Sequence, residues 1–351
     1  MHTDFIIVGS GMAGITMAHT LQQQGYTFRI ISQPDLSQCS IVSAGIINPV
    51  VFYRMTKSYM VDLVLPYAES FYQKTETVLN AKLIYPFTVA KIFASKEQQQ
   101  LWEQRREEGV GFYLGDVNNE FDDDTSIHAP NGIGLIKGSG NFDCPAYIST
   151  SLEYFKSSFT GEEFEYDKIS FHESGIGYKD FTAGKIIFCE GHLISNNPFL
   201  EKILLKPVKG EILMIKFDEP LPQRLSNYVL SKKSYLLPLG DDTFLVGATY
   251  NWKDKNDTIS EEAVEQLSQN IRDITSIPFK IVSQHAGVRP AANDRRPILG
   301  VHPHHPQMAV FNGLGTKGVM LAPYFANELV QNICNQKVLH KEIDVARFFK
   351  K

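Results

Sequence analysis

The stretch Phe5-Ile6-Ile7-Val8-Gly9-Ser10-Gly11-Met12-Ala13-Gly14 opens the chain and decides its fold class. Its first four residues read as a buried strand, and residues 12 to 24 read as a helix that Gly25 ends in a left-handed conformation. Between the two, Gly9 permits a tight turn, Gly11 lets a pyrophosphate approach the backbone, and Gly14 lets helix pack closely on strand. The helix N-terminus, with Met12 and Ala13, then offers unpaired amides and a positive dipole to phosphates. Phe28-Arg29-Ile30-Ile31 supplies a second strand, and a strand, helix, strand unit builds a parallel sheet. The alternative is a Gly-rich turn that holds no ligand. One part of the pattern is missing: an acidic residue usually ends the second strand and binds the adenosine ribose. Here Ser32 and Gln33 stand at that point. Ser32 offers a hydroxyl, Asp35 offers a carboxylate if the chain folds back, and no Arg within residues 31–35 favours the extra phosphate of NADP.

The 351 residues suggest about two domains at roughly 150 residues each. A net charge of −5, from 34 Lys+Arg against 39 Asp+Glu, excludes a polybasic nucleic-acid glove, though not a local basic patch. The four cysteines, Cys39, Cys144, Cys189 and Cys334, form no CxxC pair and stand beside no His at metal-ligand spacing, which predicts a reducing compartment without a disulfide framework. The N-terminus lacks a basic region and a small-residue cleavage site, and no apolar run is long enough to span a bilayer. A cytoplasmic location is expected.

Residues 57 to 80 read as a helix, and Ser95-Lys96-Glu97-Gln98 as a capping box opening a polar helix to about Glu108. Gly and Asp predict loops and short strands from Gly109 to Gly140. Asp143 is placed to cap a helix that carries Pro145 in its first turn. Strands are expected at 186–188, 212–215, 235–237 and 244–246, the last two joined by a turn at Gly240-Asp241-Asp242. Val264, Leu267, Ile271 and Ile274 recur at helical spacing over residues 260–275. A strand at 308–311, a Gly-rich turn and a helix over 322–334 complete the chain.

Several further stretches occur in a telling order. They are Ser43-Ala44-Gly45-Ile46-Ile47-Asn48-Pro49, Lys206-Pro207-Val208-Lys209-Gly210-Glu211, Val246-Gly247-Ala248-Thr249-Tyr250, Gly287-Val288-Arg289-Pro290, and Gly313-Leu314-Gly315-Thr316-Lys317-Gly318. With the opening fingerprint they resemble the D-amino-acid oxidase family of FAD-dependent oxidoreductases across nearly the whole chain. Within that family the likeness is greatest to glycine oxidase and to the oxidase half of the bifunctional wobble-uridine tRNA modification enzyme. Glu190-Gly191-His192, Asn48-Pro49 and Gly315-Thr316-Lys317-Gly318 lean toward the latter, whose methyltransferase half is absent from this sequence.

The resemblance implies an α/β fold: a Rossmann-like FAD-binding domain (residues 1–75, 140–204 and 286–351) interleaved with an α+β substrate domain on a mixed sheet (76–139 and 205–285). It implies that Gly9, Gly11, Met12, Ala13, Gly14, Ser32, Gln33, Ser43, Ala44, Gly45, Ile46, Gly191, Gly313, Gly315, Thr316, Lys317 and Gly318 hold the cofactor. The Ser43 turn would lie beside the pyrophosphate and flavin, and the Gly313–Gly318 turn near the flavin's pyrimidine end; the plain alternatives are a β-turn, a ligand-free glycine turn and a solvated Lys317. Arg289 matches an arginine that clamps a substrate carboxylate, a task suited to a planar two-pronged donor, the alternative being a structural ion pair. Tyr235 matches a tyrosine that faces substrate, yet a tyrosine in an apolar strand is equally at home in a core. A second arginine of glycine oxidase is replaced here by Thr316 beside Lys317. With no Cys near Arg289 in the C-terminal region, non-covalent FAD is expected.

The activity implied is FAD-dependent oxidation of a C–N bond in a glycine- or sarcosine-like amine to an imine, with oxygen as acceptor. Two alternatives stand beside it. One is an oxidase acting on carboxymethylaminomethyl-uridine in tRNA, admitted but not favoured by the net charge; the other is a flavin-binding protein without turnover. The basic pairs Arg105-Arg106, Lys232-Lys233 and Arg295-Arg296 would matter to tRNA only if the fold gathers them. His302-Pro303-His304-His305-Pro306 reads as a surface loop and not a metal site, and Asp122-Asp123-Asp124 as a solvated turn. No metal is expected, and the oligomeric state is not legible.

Overall fold

The computed structural model describes residues 2–33, 39–118, 126–173, 175–222, 225 and 227–349. Asp35 and Asp122-Asp123-Asp124 lie outside them.

The opening stretch folds as its pattern requires. Strand His2–Val8 is followed by helix Met12–Gln23 and strand Phe28–Ile31, with Gly25 at a φ of +79°. The two strands pair in parallel, and Phe181–Phe188 flanks the first of them, also in parallel. Met308–Asn312 continues the parallel set beyond Phe181–Phe188, and Phe159–Thr160 closes it beyond Phe28–Ile31. Because Thr160, Ile31, Val8, Phe188 and Val310 lie level, every strand of this set ends along one edge. Ligands of doubly wound sheets bind at that carboxyl edge.

A second sheet of eight strands is mixed, as expected. Its order runs Phe279–Arg289, Val208–Phe217, Thr243–Gly247, Tyr235–Gly240, Tyr228–Ser231, Thr88–Ile92, Ile133–Ile136 and Leu114–Asn118. Only Tyr228–Ser231 and Thr88–Ile92 pair in parallel. Asp241 and Asp242 take positive φ values of 50° and 57°, which the tight hairpin between Tyr235–Gly240 and Thr243–Gly247 demands. The chain visits the two sheets alternately, so the halves of the molecule interleave.

The helices depart from the sequence pattern mainly at their ends. The helix expected from residue 57 spans Val61–Leu79, because Thr56–Lys57 pairs with Val50–Val51 as a short strand. The capped polar helix spans Lys96–Arg106; the Ser95 hydroxyl accepts from the Gln98 amide, and the Gln98 side chain accepts from the Ala94 amide. Asp143 caps Cys144–Tyr154, and Ser260 caps Glu261–Arg272. The last helix begins four residues before the expected start, at Gly318, and runs to Asn335. That shift brings its N-terminus to the cleft described below. It packs on both Met12–Gln23 and Val61–Leu79. Among the described residues no helix is long and apolar enough to cross a membrane.

The edge of the second sheet that faces the cleft is fixed by a buried ion pair. Lys209 and Glu211 are 1% and 3% exposed and 3.5 Å apart. The Lys209 ammonium also bonds Asp254 at 2.6 Å and Asn256 at 3.2 Å, while Glu211 accepts from the Ser260 amide, the Ser260 hydroxyl and Gln284. Together they tie residues 251–260 to the strand Val208–Phe217 on either side of Gly210. Removing one partner strands the other charge in a dry site, at a cost of roughly 3–5 kcal/mol. Lys209→Met is therefore expected to lower the free energy of unfolding by that amount, read as a lower midpoint of chemical unfolding at unchanged slope; an unchanged midpoint would show that solvent reaches Glu211.

Candidate active site

A cleft of about 530 Å³ lies between the carboxyl edge of the parallel strands and the second sheet. That is within the usual range for cofactor and substrate sites. Of the residues singled out in the sequence, Gly9, Gly11, Met12, Ala13, Ser32, Gln33, Ser43, Ala44, Gly45, Ile46, Gly191, Gly315, Thr316, Lys317 and Gly318 line it, together with Arg289 and Tyr235. Two do not. Gly14 is set back, where a Cβ would lie 1.9 Å from the Gly9 carbonyl oxygen, so its part is to bring helix onto strand. Gly313 has a φ of +71°, and a Cβ there would meet Ile298 Cγ1 at 2.8 Å; it turns the chain after Met308–Asn312 without facing the cleft.

The phosphate end is built from backbone. Gly9 has a φ of +102°, and a side chain there would strike the Cys189 carbonyl oxygen at 2.5 Å. The helix that follows carries no acidic residue in its first turn, so its amides face the cleft without a competing negative charge. Ser10 donates to the Ser32 hydroxyl at 3.0 Å, which fixes the serine standing in place of the acid. Gly45, at a φ of +62°, presses its turn so tightly on Phe142 that a Cβ would come 1.7 Å from that carbonyl oxygen.

At the other end stand the groups able to handle a substrate. Arg289 terminates Phe279–Arg289, and its Nη1 donates to the Thr249 carbonyl at 3.2 Å. Its guanidinium lies over the Tyr250 ring, 4.6 Å from the centroid. Among the described residues it forms no ion pair, which leaves its charge available. It crosses the strand Val208–Phe217 in the space of a missing side chain, since a Cβ on Gly210 would lie 2.1 Å from Nη2. Tyr235 both lines the cleft and packs on the main core. Gly247 leaves room for it, a Cβ there falling 2.7 Å from the phenol oxygen. Burial raises the Tyr235 phenol above its ordinary value, although Arg289 acts in the opposite sense, so the hydroxyl stays protonated.

The pattern that defines the DAO family, FAD dependent oxidoreductases, matches residues 4–332. The chain belongs to that family. It is 21% identical over 98% of its length to the tRNA 5-methylaminomethyl-2-thiouridine biosynthesis bifunctional protein MnmC of Marinobacter nauticus, of which it covers 58%. It is 25% identical over 55% of its length to glycine oxidase of Geobacillus kaustophilus, of which it covers 53%. The chain thus spans little more than half the length of these curated relatives. Among solved structures, glycine oxidase from Geobacillus kaustophilus superimposes with a TM-score of 0.80 at 19% identity, covering 99% of this chain and 98% of the other. Iminodiacetate oxidase from Chelativorans sp. gives a TM-score of 0.77 at 18% identity, with 98% of each chain covered.

The residues of this FAD-dependent oxidoreductase fit the cofactor its family uses. The glycine turns at 9–14 and 43–46 are backbone cradles that side chains would fill, and the helices that begin at Met12 and Gly318 both open onto one cleft, the Met12 amide donating to the Ser40 hydroxyl at 3.0 Å. Lys317 stands at the second of these. It is not a solvated lysine: its ammonium donates to the Asn48 carbonyl at 2.7 Å, and burial lowers it from 10.5 to about 8.

Some cleft residues escaped sequence reasoning. Cys39, Cys144 and Cys189 all line the wall, although nothing in their spacing marks them. All four cysteines are free thiols. Glu190 and Tyr166 line the cleft near Ser32 and hydrogen-bond each other, with Asn197 donating to Glu190 from behind, and only Glu190 lies in one of the stretches quoted from the sequence. Tyr250 and Gly210 were visible as motif members but not as the floor and doorway of Arg289. The His302 loop is structural: His302 is buried, bonds the Phe199 carbonyl and receives the His304 and His305 amides, and among the described residues no cluster of metal-ligating side chains forms.

Two outcomes follow from this geometry. Gly210→Ala must displace the Arg289 guanidinium, and is expected to raise KM for a carboxylate-bearing substrate roughly tenfold while the protein keeps its flavin; unchanged KM would mean that Arg289 does not bind substrate. Lys317 gives a pH signature. The unfolded chain keeps this proton to about 10.5 and the folded one only to about 8, so between these values the unfolded state binds more protons and stability rises with pH. Flavin-free wild type should gain in melting temperature over Lys317→Met across that interval, and parallel curves would show the lysine to be hydrated.

Proposed function

We propose that this chain oxidises a small amine that carries a carboxylate, of the glycine or sarcosine kind, to an imine that water then hydrolyses. The observation that carries this reading is Arg289, a guanidinium at the cleft wall that forms no ion pair among the described residues and lays its flat face on Tyr250. Such a fork binds a carboxylate through two parallel hydrogen bonds and fixes its orientation. FAD, when bound, supplies the acceptor for the hydride on the carbon beside nitrogen, and oxygen is proposed as the final oxidant, forming hydrogen peroxide. The protein's part is positioning: Arg289 holds the carboxylate, the neutral Tyr235 hydroxyl faces the same space, and apolar Ile46, Phe52 and Val229 exclude water.

The remaining assignments follow from the same reading. The cofactor domain comprises residues 1–75, 140–204 and 286–351, with 76–139 and 205–285 as the substrate domain; Phe279–Arg289 belongs to the second sheet and carries Arg289 across that border. FAD is held without a covalent bond. Burial keeps the cleft thiols protonated and poorly nucleophilic, Cys144 at about 12 and Cys39 and Cys189 also raised. Four free thiols support a cytoplasmic setting.

A second reading, oxidation of a carboxymethylaminomethyl group on tRNA, would use the same Arg289 clamp. It is supported by exposed Tyr250 and Trp252 beside the cleft, with the Lys206 ammonium over the Trp252 ring at 5.1 Å. Against it, four of the six residues in the basic pairs are held in ion pairs: Arg105 by Glu108, Arg106 by Glu103 and Asp116, Lys233 by Asp273, and Arg296 by Glu342. The third possibility, a flavin protein without turnover, predicts that no amine reduces the bound flavin.

One experiment separates the three. Purified yellow protein is mixed anaerobically with glycine, sarcosine and other amino acids, and its absorbance followed. Bleaching by a small amino acid, lost at least tenfold in rate or affinity in Arg289→Met, is the expected result. Failure of every small amine to bleach the flavin would overturn the main reading. Altered wobble uridines in tRNA from a deletion strain would then favour the second, and unaltered ones the third. Acid precipitation of the same sample is expected to release all flavin into solution; a yellow pellet would refute non-covalent binding.

A further inference from the structure

We propose that Glu190 supplies the carboxylate that binds the adenosine ribose, taking over a task that in this fold ordinarily falls to the end of the second strand. The inference rests on the FAD reading. In doubly wound sheets an acidic residue closing the second strand accepts hydrogen bonds from the ribose hydroxyls. Ser32 occupies that point, and its hydroxyl is already engaged with Ser10.

A carboxylate returns to the same edge from the other side of the first strand. Val8 lies level with Ile31 on one flank and with Phe188 on the other. Glu190, two residues past Phe188, therefore emerges beside the glycine turn that begins at Gly9, one strand spacing (about 4.8 Å) from the first strand. The contact is tight, because Gly9 sits directly on the Cys189 carbonyl. Glu190 lines the cleft with Ser32, Gln33, Phe164 and Tyr166, the set at the adenosine end.

The side chain is held and only partly used. Tyr166 donates to Oε1 at 2.6 Å, and Asn197 Nδ2 donates to Oε2 at 3.0 Å. Asn197 is itself fixed, its Oδ1 accepting from the Phe199 amide at 3.0 Å. A carboxylate has about four acceptor positions, so each oxygen keeps one for a further donor. A vicinal diol offers two donors at that spacing. Burial pushes the Glu190 carboxyl up to about 7 despite Tyr166 and Asn197, and further hydroxyl donors would act in the opposite direction, favouring the carboxylate. Glu163 also reaches this end of the cleft, but it is exposed, and among the described residues no hydrogen bond holds it toward the cleft.

The test measures cofactor affinity and not turnover. Full-length protein stripped of flavin is titrated with FAD and with FMN, which lacks the adenosine, by quenching of flavin fluorescence. In Glu190→Gln, which keeps an acceptor for Tyr166 and sets an amide NH2 against Asn197 in place of the second oxygen, FAD is expected to bind roughly tenfold or more weakly while FMN is unchanged. Glu163→Gln and Asp35→Asn should bind FAD as wild type does. A parallel competition needs no variant: ADP should displace FAD from wild type at least tenfold better than 2′,3′-dideoxy-ADP. Equal displacement by the two nucleotides, equal loss of FAD and FMN affinity in Glu190→Gln, or a loss found instead in Glu163→Gln or Asp35→Asn, would each overturn the assignment. Absence of FAD binding by wild type would overturn the FAD reading itself, a separate outcome.

Discussion

The cleft exists because two backbones touch. Gly9 lies against the carbonyl of Cys189, and Gly14 lies against the carbonyl of Gly9, at distances that leave no room for a Cβ at either position. The first contact sets the end of His2–Val8 beside the end of Phe181–Phe188; the second brings the N-terminus of Met12–Gln23 down onto the same edge. A phosphate site made of amides depends on this approach, since a longer or wider turn would point those amides into solvent. The rest of the cofactor side is arranged around it, including Ser32, Glu190 and the N-terminus of Gly318–Asn335.

The substrate side follows a similar rule of omitted side chains. Arg289 reaches the cleft across Gly210, and Tyr235 fits beside Gly247. Both glycines lie in strands of the second sheet, where a glycine weakens packing and is tolerated when something else must pass. Behind them the Lys209–Glu211 pair anchors residues 251–260, and with them the segment bearing Thr249 and Tyr250 on which the guanidinium rests. A long flexible cation is thereby held by a carbonyl, an aromatic face and a gap in a strand, and its charge is left free for a ligand.

The sequence carried those parts of the site whose chemistry is written in glycine. The turns at 9–14, 43–46 and 315–318 could be placed because each needs a conformation or an approach that other residues resist. Arg289 was legible only through resemblance, since an isolated arginine ending a strand is compatible with an ion pair. Gly313 and Gly14 look the same in sequence as the glycines that face the cleft, and only their neighbours, Ile298 and the Gly9 carbonyl, show that they act by packing. Glu190 was harder still. Its effect comes from strand order, which places the residue after Phe181–Phe188 next to a turn more than 170 positions earlier.

By itself the sequence determined the α/β class, the glycine turn at 9–14 and the alternation of the chain between two halves, because these depend on local periodicity and on residues with restricted backbone choices. Tertiary structure decided which charges are available and which are spent. It paired off Arg105, Arg106, Lys233 and Arg296, tied Lys317 to the Asn48 carbonyl, left Arg289 without an ion pair among the described residues and set Glu190 in the cleft wall. The reason is physical: the state of an ionisable group depends on burial and on partners brought from distant parts of the chain, and neither is encoded in its immediate neighbours.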